Sequence, residues 1–180
     1  AQLHWIAWWC KKTLSQILTE EDQHSESVRN LVKLTLTRLY ELQIKTQNKI
    51  DYKQAFEYES YDELPIIHDL YYFKNFLVDV LELPYHKSNL LKEFNSIKNL
   101  IISINPVGLM IRDFQSRNIM VNDGEVFFID YQGAMQGPLM YDVISFLFQA
   151  KANFPQAFKD EMLNFYINLW DNEHTEALKN

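Results

Sequence analysis

Glycine is scarce in this sequence, and its few occurrences are confined to one stretch. The four glycines lie within thirty residues: Gly108, Gly124, Gly133 and Gly137. Glycine allows positive φ angles and a close approach of the backbone to a ligand. Its absence before Gly108 excludes a glycine-rich phosphate-binding loop from that part of the chain. Regular helix is expected there, and the irregular backbone that accommodates a ligand is expected between residues 106 and 138.

The sequence has a single cysteine, and it lacks clustered positive charge and long apolar runs. The one cysteine, Cys10, cannot form an intrachain disulfide, which predicts a reducing, cytoplasmic environment. The net charge of -7 argues against nucleic-acid and anionic-membrane partners, because such surfaces are built from clustered lysine and arginine. No apolar run reaches the roughly 18 residues that a membrane-spanning helix needs. The five histidines do not have the spacing of a zinc site.

Helical periodicity covers most of the chain. The predicted helices span about 21–46, Pro65–Pro84, Ser88–Pro106, 139–152 and 156–170. Proline and serine are typical of helix boundaries, which is why Pro65 and Ser88 are chosen as starts. The second helix carries its apolar residues on one face: Ile67, Leu70, Phe73, Leu77, Val80 and Leu81. Segment 47–64 shows no clear period and is predicted to be a loop with a short turn.

One short segment departs from the helical period. Residues 119–130, IMVNDGEVFFID, predict two strands joined through Asn122-Asp123-Gly124, a strong hairpin signal. Helices, a small hairpin and further helices follow each other without an internal repeat or a linker. The sequence therefore predicts one domain over residues 1–180, of the α+β class and mainly α.

Three polar side chains stand around this hairpin. Asp113 and Asn118 lie five residues apart in the segment that leads into the first strand, and Asp130 ends the second strand. A hairpin returns its far end to its start, so these side chains are expected to lie close together. Two of these groups offer oxygen ligands of the kind that suits Mg²⁺. The third, a carboxylate, can act as the general base for phosphoryl transfer. The alternative is a turn or cap, because aspartate and asparagine also favour local hydrogen bonds.

The segment MIRDFQSRNIM…FFIDYQG…GPLMYD resembles the aminoglycoside phosphotransferase and choline kinase-like family, which has a protein-kinase-like fold. It is most similar to a bacterial branch that includes kinases of N-acetylmuramate and N-acetylglucosamine. The resemblance is dense over 109–152 and weaker back to about Thr13. It implies a kinase-like C-terminal lobe with a small catalytic β-hairpin.

The resemblance also implies roles for individual residues. Asp113 matches the catalytic base, and Asn118 and Asp130 match the ligands of the Mg²⁺ that accompanies ATP. Gln115 stands where many protein kinases place a lysine near the transferred phosphate. Asp142 matches a position that braces the catalytic loop from the next helix, although a lone aspartate there is more often a charge that favours the helix N-terminus.

Arg112 and Arg117 flank the same loop. Either could meet a substrate or phosphate anion, and Arg117 is our candidate for that role, although a structural ion pair is an equal alternative for both. Ile111 departs from the family, which usually has histidine at this position, and the loop is expected to be held there by packing alone.

The larger departure concerns the nucleotide-clamping N-terminal lobe. No glycine-rich loop and no lysine-bearing strand precede the catalytic segment, and Lys11 and Lys12 stand where the interlobe hinge is expected. The sequence predicts a C-terminal lobe whose N-terminal lobe is missing or is supplied by a partner. Trp5, Trp8 and Trp9 are expected either to cover surface that this lobe would bury or to pack as an ordinary terminal element.

The implied function is Mg²⁺-dependent transfer of a phosphoryl group from ATP to a hydroxyl of a small molecule. An amino sugar is the expected acceptor, ahead of an aminoglycoside or an amphiphilic alcohol. The alternatives are a catalytically silent kinase-like module for binding or regulation, and one half of a split kinase. As an isolated chain the protein is expected to be inactive.

Overall fold

The computed structural model describes residues 12–22, 25–170 and 178. Its helices are α1 (Leu14–Glu20), α2 (Glu26–Thr46), α3 (Glu63–Phe73), α4 (Lys87–Ser103), α5 (Met140–Leu147) and α6 (Gln156–Ile167). Its strands are β1 (Lys12–Thr13), β2 (Val107–Met110), β3 (Ile119–Asn122), β4 (Glu125–Phe128) and β5 (Met135–Pro138). Short 3₁₀ turns cover Tyr52–Gln54 and Ser116–Asn118. The expectations for Cys10, Lys11 and the tryptophans at 5, 8 and 9 lie outside the described residues.

The predicted fold class is confirmed, because the described chain is mainly helical with two small sheets. The strands pair in the order β1–β3–β4 in one sheet and β2–β5 in the other, and every ladder is antiparallel. The predicted hairpin is present as β3 and β4. Asp123 (φ 49°) and Gly124 (φ 80°) form its turn, and positive φ at both positions is what a tight two-residue hairpin turn requires.

Helix α2 is the central element of the core. Its buried residues Val28, Val32, Leu36 and Leu39 belong to the same apolar cluster as residues of the hairpin, α5 and α6. Gln43, also buried, donates from one side chain to the carbonyls of Leu109 and Leu139, each at 3.2 Å. These bonds connect the end of α2 to β2 and to the start of α5. Segment 111–118, which carries most of the candidate site residues, follows directly after β2.

The boundaries of the second and third predicted helices were wrong by a few residues. Asp62 caps α3, because its side chain accepts a hydrogen bond from the backbone of Leu64, so the helix begins at Glu63 and Pro65 lies within its first turn. Helix α4 begins at Lys87, before the predicted cap Ser88. The Ser88 hydroxyl bonds to the His86 ring at 3.0 Å instead of capping the helix backbone.

The second predicted helix also ends earlier than Pro84. Helix α3 stops at Phe73 and passes into a π-helical turn over Lys74–Val78. Its expected apolar face is largely uncovered: Val80 is 67% and Leu81 58% exposed. Periodicity identified which residues share a face, but it could not show whether another element packs on that face.

Strands β2 and β5 were not predicted. They pair from Val107 with Pro138 to Met110 with Met135, so Gly108 and Gly137 face each other. A Cβ atom on Gly137 would stand 2.6 Å from the Met110 sulfur, which shows why a glycine fits this close packing. Glycine and proline in such short strands hide the usual strand pattern.

Candidate active site

The loop of residues 111–118, which is our candidate catalytic loop, connects β2 to β3 and is closed by its own hydrogen bonds. The backbone of Gln115 donates to the carbonyl of Asp113 at 2.9 Å, and the backbone of Asn118 donates to that of Gln115 at 2.8 Å. The Asn118 side chain donates to the Asp113 carbonyl at 3.0 Å. Asp113 is exposed and Asn118 is buried. The loop thus presents Asp113 to solvent on a backbone held from both sides.

The structure brings Asn118 and Asp130 to the same end of the β3–β4 hairpin. Register pairs Ile119 with Phe128, and the backbone of Ile129 donates to the Asn118 carbonyl at 3.0 Å. Asp130 is the next residue along the chain. It has a left-handed backbone (φ 63°), and its carboxylate accepts a hydrogen bond from Gln132 at 2.7 Å.

The available donor atoms suit a hard cation. The Asn118 amide nitrogen is engaged, while its oxygen has no hydrogen bond among the described residues. Asp130 adds a carboxylate at the same hairpin end. No group of three or more histidine, cysteine or acidic residues gathers within the described ranges. Two oxygen ligands without a full cage fit Mg²⁺, which keeps several waters and shares ligands with phosphates.

Asp142 fixes the start of the candidate catalytic loop through hydrogen bonds to its backbone. It is fully buried in α5, and its carboxylate accepts hydrogen bonds from the backbone of Ile111 at 2.7 Å and of Arg112 at 3.0 Å. Arg112 has φ 73°, so these bonds secure a left-handed backbone that a non-glycine residue adopts at a cost. They also show that the loop at Ile111 is not held by packing alone, which corrects that expectation.

Burial raises the pKa of Asp142 to about 7, although the two backbone N–H groups of Ile111 and Arg112 act in the opposite direction. A carboxyl whose folded pKa lies above its unfolded value contributes stability at low pH that is lost as pH rises through the folded value. Relative to Asp142→Asn, which does not titrate, the wild-type free energy of unfolding should fall between about pH 4 and pH 7, the interval from the unfolded to the folded pKa. The slope should reach at most about 1.4 kcal/mol per pH unit.

Urea unfolding of both proteins at half-unit pH steps measures this difference. Parallel pH profiles for wild type and Asp142→Asn would show that Asp142 is ionised over the whole range.

Arg112 forms structural ion pairs, the alternative that the sequence left open. Its guanidinium donates to Glu57 at 2.9 Å and to Asp69 at 2.8 Å, and Asp69 also accepts from the Tyr61 hydroxyl at 2.9 Å. This network links the catalytic loop to helix α3 and the loop before it. Sequence analysis missed Glu57, Tyr61 and Asp69, because nothing in their spacing relates them to residue 112.

Gln115 and Arg117 line a cavity to which the Arg112 network does not contribute. The volume of this cavity is about 440 Å³, and Lys151 also lines it. Arg117 is exposed and forms no ion pair or hydrogen bond with any residue that the structure describes. The structure therefore brings these two predicted residues together, in a cavity whose lining includes neither Asp113, Asn118 nor Asp130.

Comparisons with known proteins agree on the fold and the family. Residues 72–178, more than half of the chain, match a family described as the phosphotransferase enzyme family. The solved structure of the streptomycin–ATP–APH(2″)-IIa ternary complex matches with a TM-score of 0.51 and 21% sequence identity, over 87% of this chain. At that identity the match shows a shared fold. This chain spans 53% of that one, about half its length.

A comparison with curated proteins returns no significant match. Among the described residues, no helix combines the length and the apolar character needed to cross a membrane.

Proposed function

Because the chain belongs to the phosphotransferase enzyme family, we propose that it is the catalytic lobe of a kinase that transfers the γ-phosphoryl group of ATP to a hydroxyl of a small molecule. We propose an amino sugar as the acceptor and the cytoplasm as the location. The observation that carries this proposal is the hairpin end, where Asn118 and Asp130 stand together beside the loop that presents Asp113.

Each residue at this end has one task in the proposed reaction. The Asp113 carboxylate accepts the proton of the acceptor hydroxyl while the acceptor oxygen bonds to the γ-phosphorus and the bond to the bridging oxygen of ADP breaks. The Asn118 oxygen and the Asp130 carboxylate would hold Mg²⁺, which supplies positive charge that neutralises the phosphates. Gln115 can donate from its amide to the transferred group.

Asp142 acts on the reaction through the backbone. Its bonds to Ile111 and Arg112 fix the two residues that precede Asp113. A base that is held in place loses less entropy when it aligns with the acceptor, which is the reason that such braces accelerate a reaction.

On this proposal, a nucleotide-clamping lobe outside these 180 residues must hold the phosphates of ATP. No glycine precedes Gly108, whereas clamping of the β- and γ-phosphates supplies most of the catalysis in phosphoryl transfer. A cavity of about 680 Å³ lies beside the loop and is lined in part by Ile111, Val126, Phe128 and Tyr131. It leaves apolar surface next to the site that a second lobe would cover, which supports this requirement. The isolated chain is therefore expected to turn over well below about 1 s⁻¹.

Replacement of Asp113 tests the proposal. With a clamp lobe fused or added in trans, Asp113→Asn should lower the rate of ADP release on amino-sugar substrates by about 10²- to 10³-fold, because general-base assistance is lost. Nucleotide affinity, measured by calorimetry, should stay within about twofold, since Asp113 addresses the acceptor. Asp123→Asn, in the hairpin turn, is the matched control and should leave the rate unchanged.

One result would contradict the proposed function: a complex that binds ATP and Mg²⁺, gives no turnover on any hydroxyl, and responds equally to Asp113→Asn and Asp123→Asn. That result would favour a binding or regulatory module. Turnover by the isolated chain at an ordinary kinase rate would instead contradict the need for a separate nucleotide clamp.

A further inference from the structure

A second cavity borders the catalytic loop on the side of α1 and α5. Its volume is about 440 Å³, and its walls come from Ser15 in α1, from Gln115, Ser116 and Arg117 in the loop, and from residues 144–151 at and after the end of α5. Asp113, Asn118 and Asp130 are not part of its lining. A molecule in this cavity would therefore touch the catalytic loop without occupying the hairpin end.

The charge of this cavity is of one sign. Arg117 and Lys151 line it, and no described aspartate or glutamate does. A further cation lies close by, because the Lys159 ammonium stands 4.7 Å from the ring centre of Phe148, which is also part of the wall. In a chain with a net charge of -7, this concentration of positive charge is a local exception.

Arg117 differs from the other three arginines of the sequence. Arg29, Arg38 and Arg112 each form ion pairs with glutamate or aspartate. Arg117 and Lys151 form none with the residues that the structure describes. A concave surface with unpaired cations attracts anions, and a guanidinium can hold a phosphate or carboxylate through two parallel hydrogen bonds.

The wall behind these cations is held in place. Gln149 accepts hydrogen bonds from the hydroxyl of Ser116 at 2.7 Å and from its backbone at 3.2 Å, and it donates to the Phe146 carbonyl. These bonds connect the catalytic loop directly to the end of α5. Less ordering is then required when a ligand binds, which favours affinity.

From these observations we propose that this cavity binds an anionic group, a phosphate or a carboxylate, carried by the acceptor substrate. The assignment to the acceptor depends on the proposed function, because the cavity is lined by Gln115, Ser116 and Arg117, which follow the proposed base Asp113 within four residues on the same loop. The amino sugar that this chain uses is thus an acidic derivative and not a neutral sugar.

Calorimetric binding to the 180-residue chain tests this inference without any turnover. The probes are N-acetylglucosamine 6-phosphate, neutral N-acetylglucosamine and inorganic phosphate. The sugar phosphate should bind at least about tenfold more tightly than either of the other two, because it combines the charge-assisted bonds with the sugar contacts. Its affinity should fall as NaCl is raised.

Three variants locate the binding. Arg117→Gln and Lys151→Gln should each weaken binding of the sugar phosphate by about tenfold. Lys92→Gln removes one exposed lysine from α4, away from the cavity lining, and should change the affinity by less than about twofold. Melting temperatures confirm that all variants are folded.

Specific outcomes would overturn the inference. They are equal affinity for the charged and the neutral sugar, equal affinity for inorganic phosphate and the sugar phosphate, or an effect of Arg117→Gln no larger than that of Lys92→Gln. Because none of these measurements needs phosphoryl transfer, failure here is distinct from failure of the proposed function, which the Asp113 variants decide.

Discussion

Replacing Asp130 with alanine should lower the rate of phosphoryl transfer by about 10³-fold or more, once the chain is joined to a nucleotide-clamping lobe. Asp130 supplies a carboxylate at the hairpin end beside Asn118, so its loss removes the charged ligand proposed for Mg²⁺. Single-turnover kinetics with ATP and an amino sugar measure the rate. Titration with Mn²⁺, followed by its electron paramagnetic resonance signal, measures the metal affinity separately.

Backbone strain must be separated from the loss of charge in this experiment. Asp130 has φ 63°, a conformation that alanine adopts at a cost of about 1–2 kcal/mol but asparagine tolerates. Asp130→Asn keeps the backbone and removes the charge, so it should lose Mn²⁺ affinity while its melting temperature stays close to that of the wild type. Full activity of Asp130→Asn with unchanged Mn²⁺ binding would contradict the assignment of Asp130 as a metal ligand.

Replacing Asp142 with alanine should reduce the free energy of unfolding by about 4 kcal/mol. The Asp142 carboxyl group, whose pKa of about 7 leaves it mostly protonated at pH 6, is the acceptor for the backbone N–H groups of Ile111 and Arg112. Each buried donor left without a partner costs about 1–3 kcal/mol, and the strained Arg112 backbone loses its restraint at the same time. Urea unfolding at pH 6 gives the difference directly.

The same substitution at an exposed aspartate shows whether the loss of stability depends on the burial of the Asp142 side chain. Asp160 is exposed in α6, and its carboxylate accepts a hydrogen bond from Gln156 at 2.8 Å. Asp160→Ala should change the free energy of unfolding by no more than about 0.5 kcal/mol. Similar losses for Asp142→Ala and Asp160→Ala would mean that the bonds to the catalytic loop contribute little to stability.

Local signals in the sequence were sufficient where one element decides its own conformation. Asn122-Asp123-Gly124 predicted the hairpin correctly, because a tight turn demands residues that accept positive φ and neighbouring strands follow from it. The long period of α2 predicted that helix, although it begins at Glu26 and not near Glu21. The hairpin also predicted that Asn118 and Asp130 come to one end, since pairing over four residues leaves no other arrangement.

Contacts between distant segments were beyond the reach of the sequence. The pairing of β2 with β5 joins residues about thirty positions apart, and neither strand shows a strand pattern by itself. The ion pairs of Arg112 with Glu57 and Asp69 depend on how α3 packs beside the loop. The exposure of Val80 and Leu81 depends on which element covers them, and periodicity does not report that.

By itself the sequence determined a glycine-free helical region, a hairpin with a two-residue turn, and the order of Asp113, Asn118 and Asp130, the residues for which we propose chemistry, around that hairpin. The helical region and the hairpin turn depend on backbone preferences that are decided within a few residues of the chain. The tertiary structure alone decided that Asp142 bonds to Ile111 and Arg112 and that Arg112 is neutralised by acids. It also decided that Arg117 lines a cavity with Lys151 and has no ion-pair partner within the described part of the chain. Whether a charge is buried, paired or free depends on residues far away in sequence, and only folding brings those together.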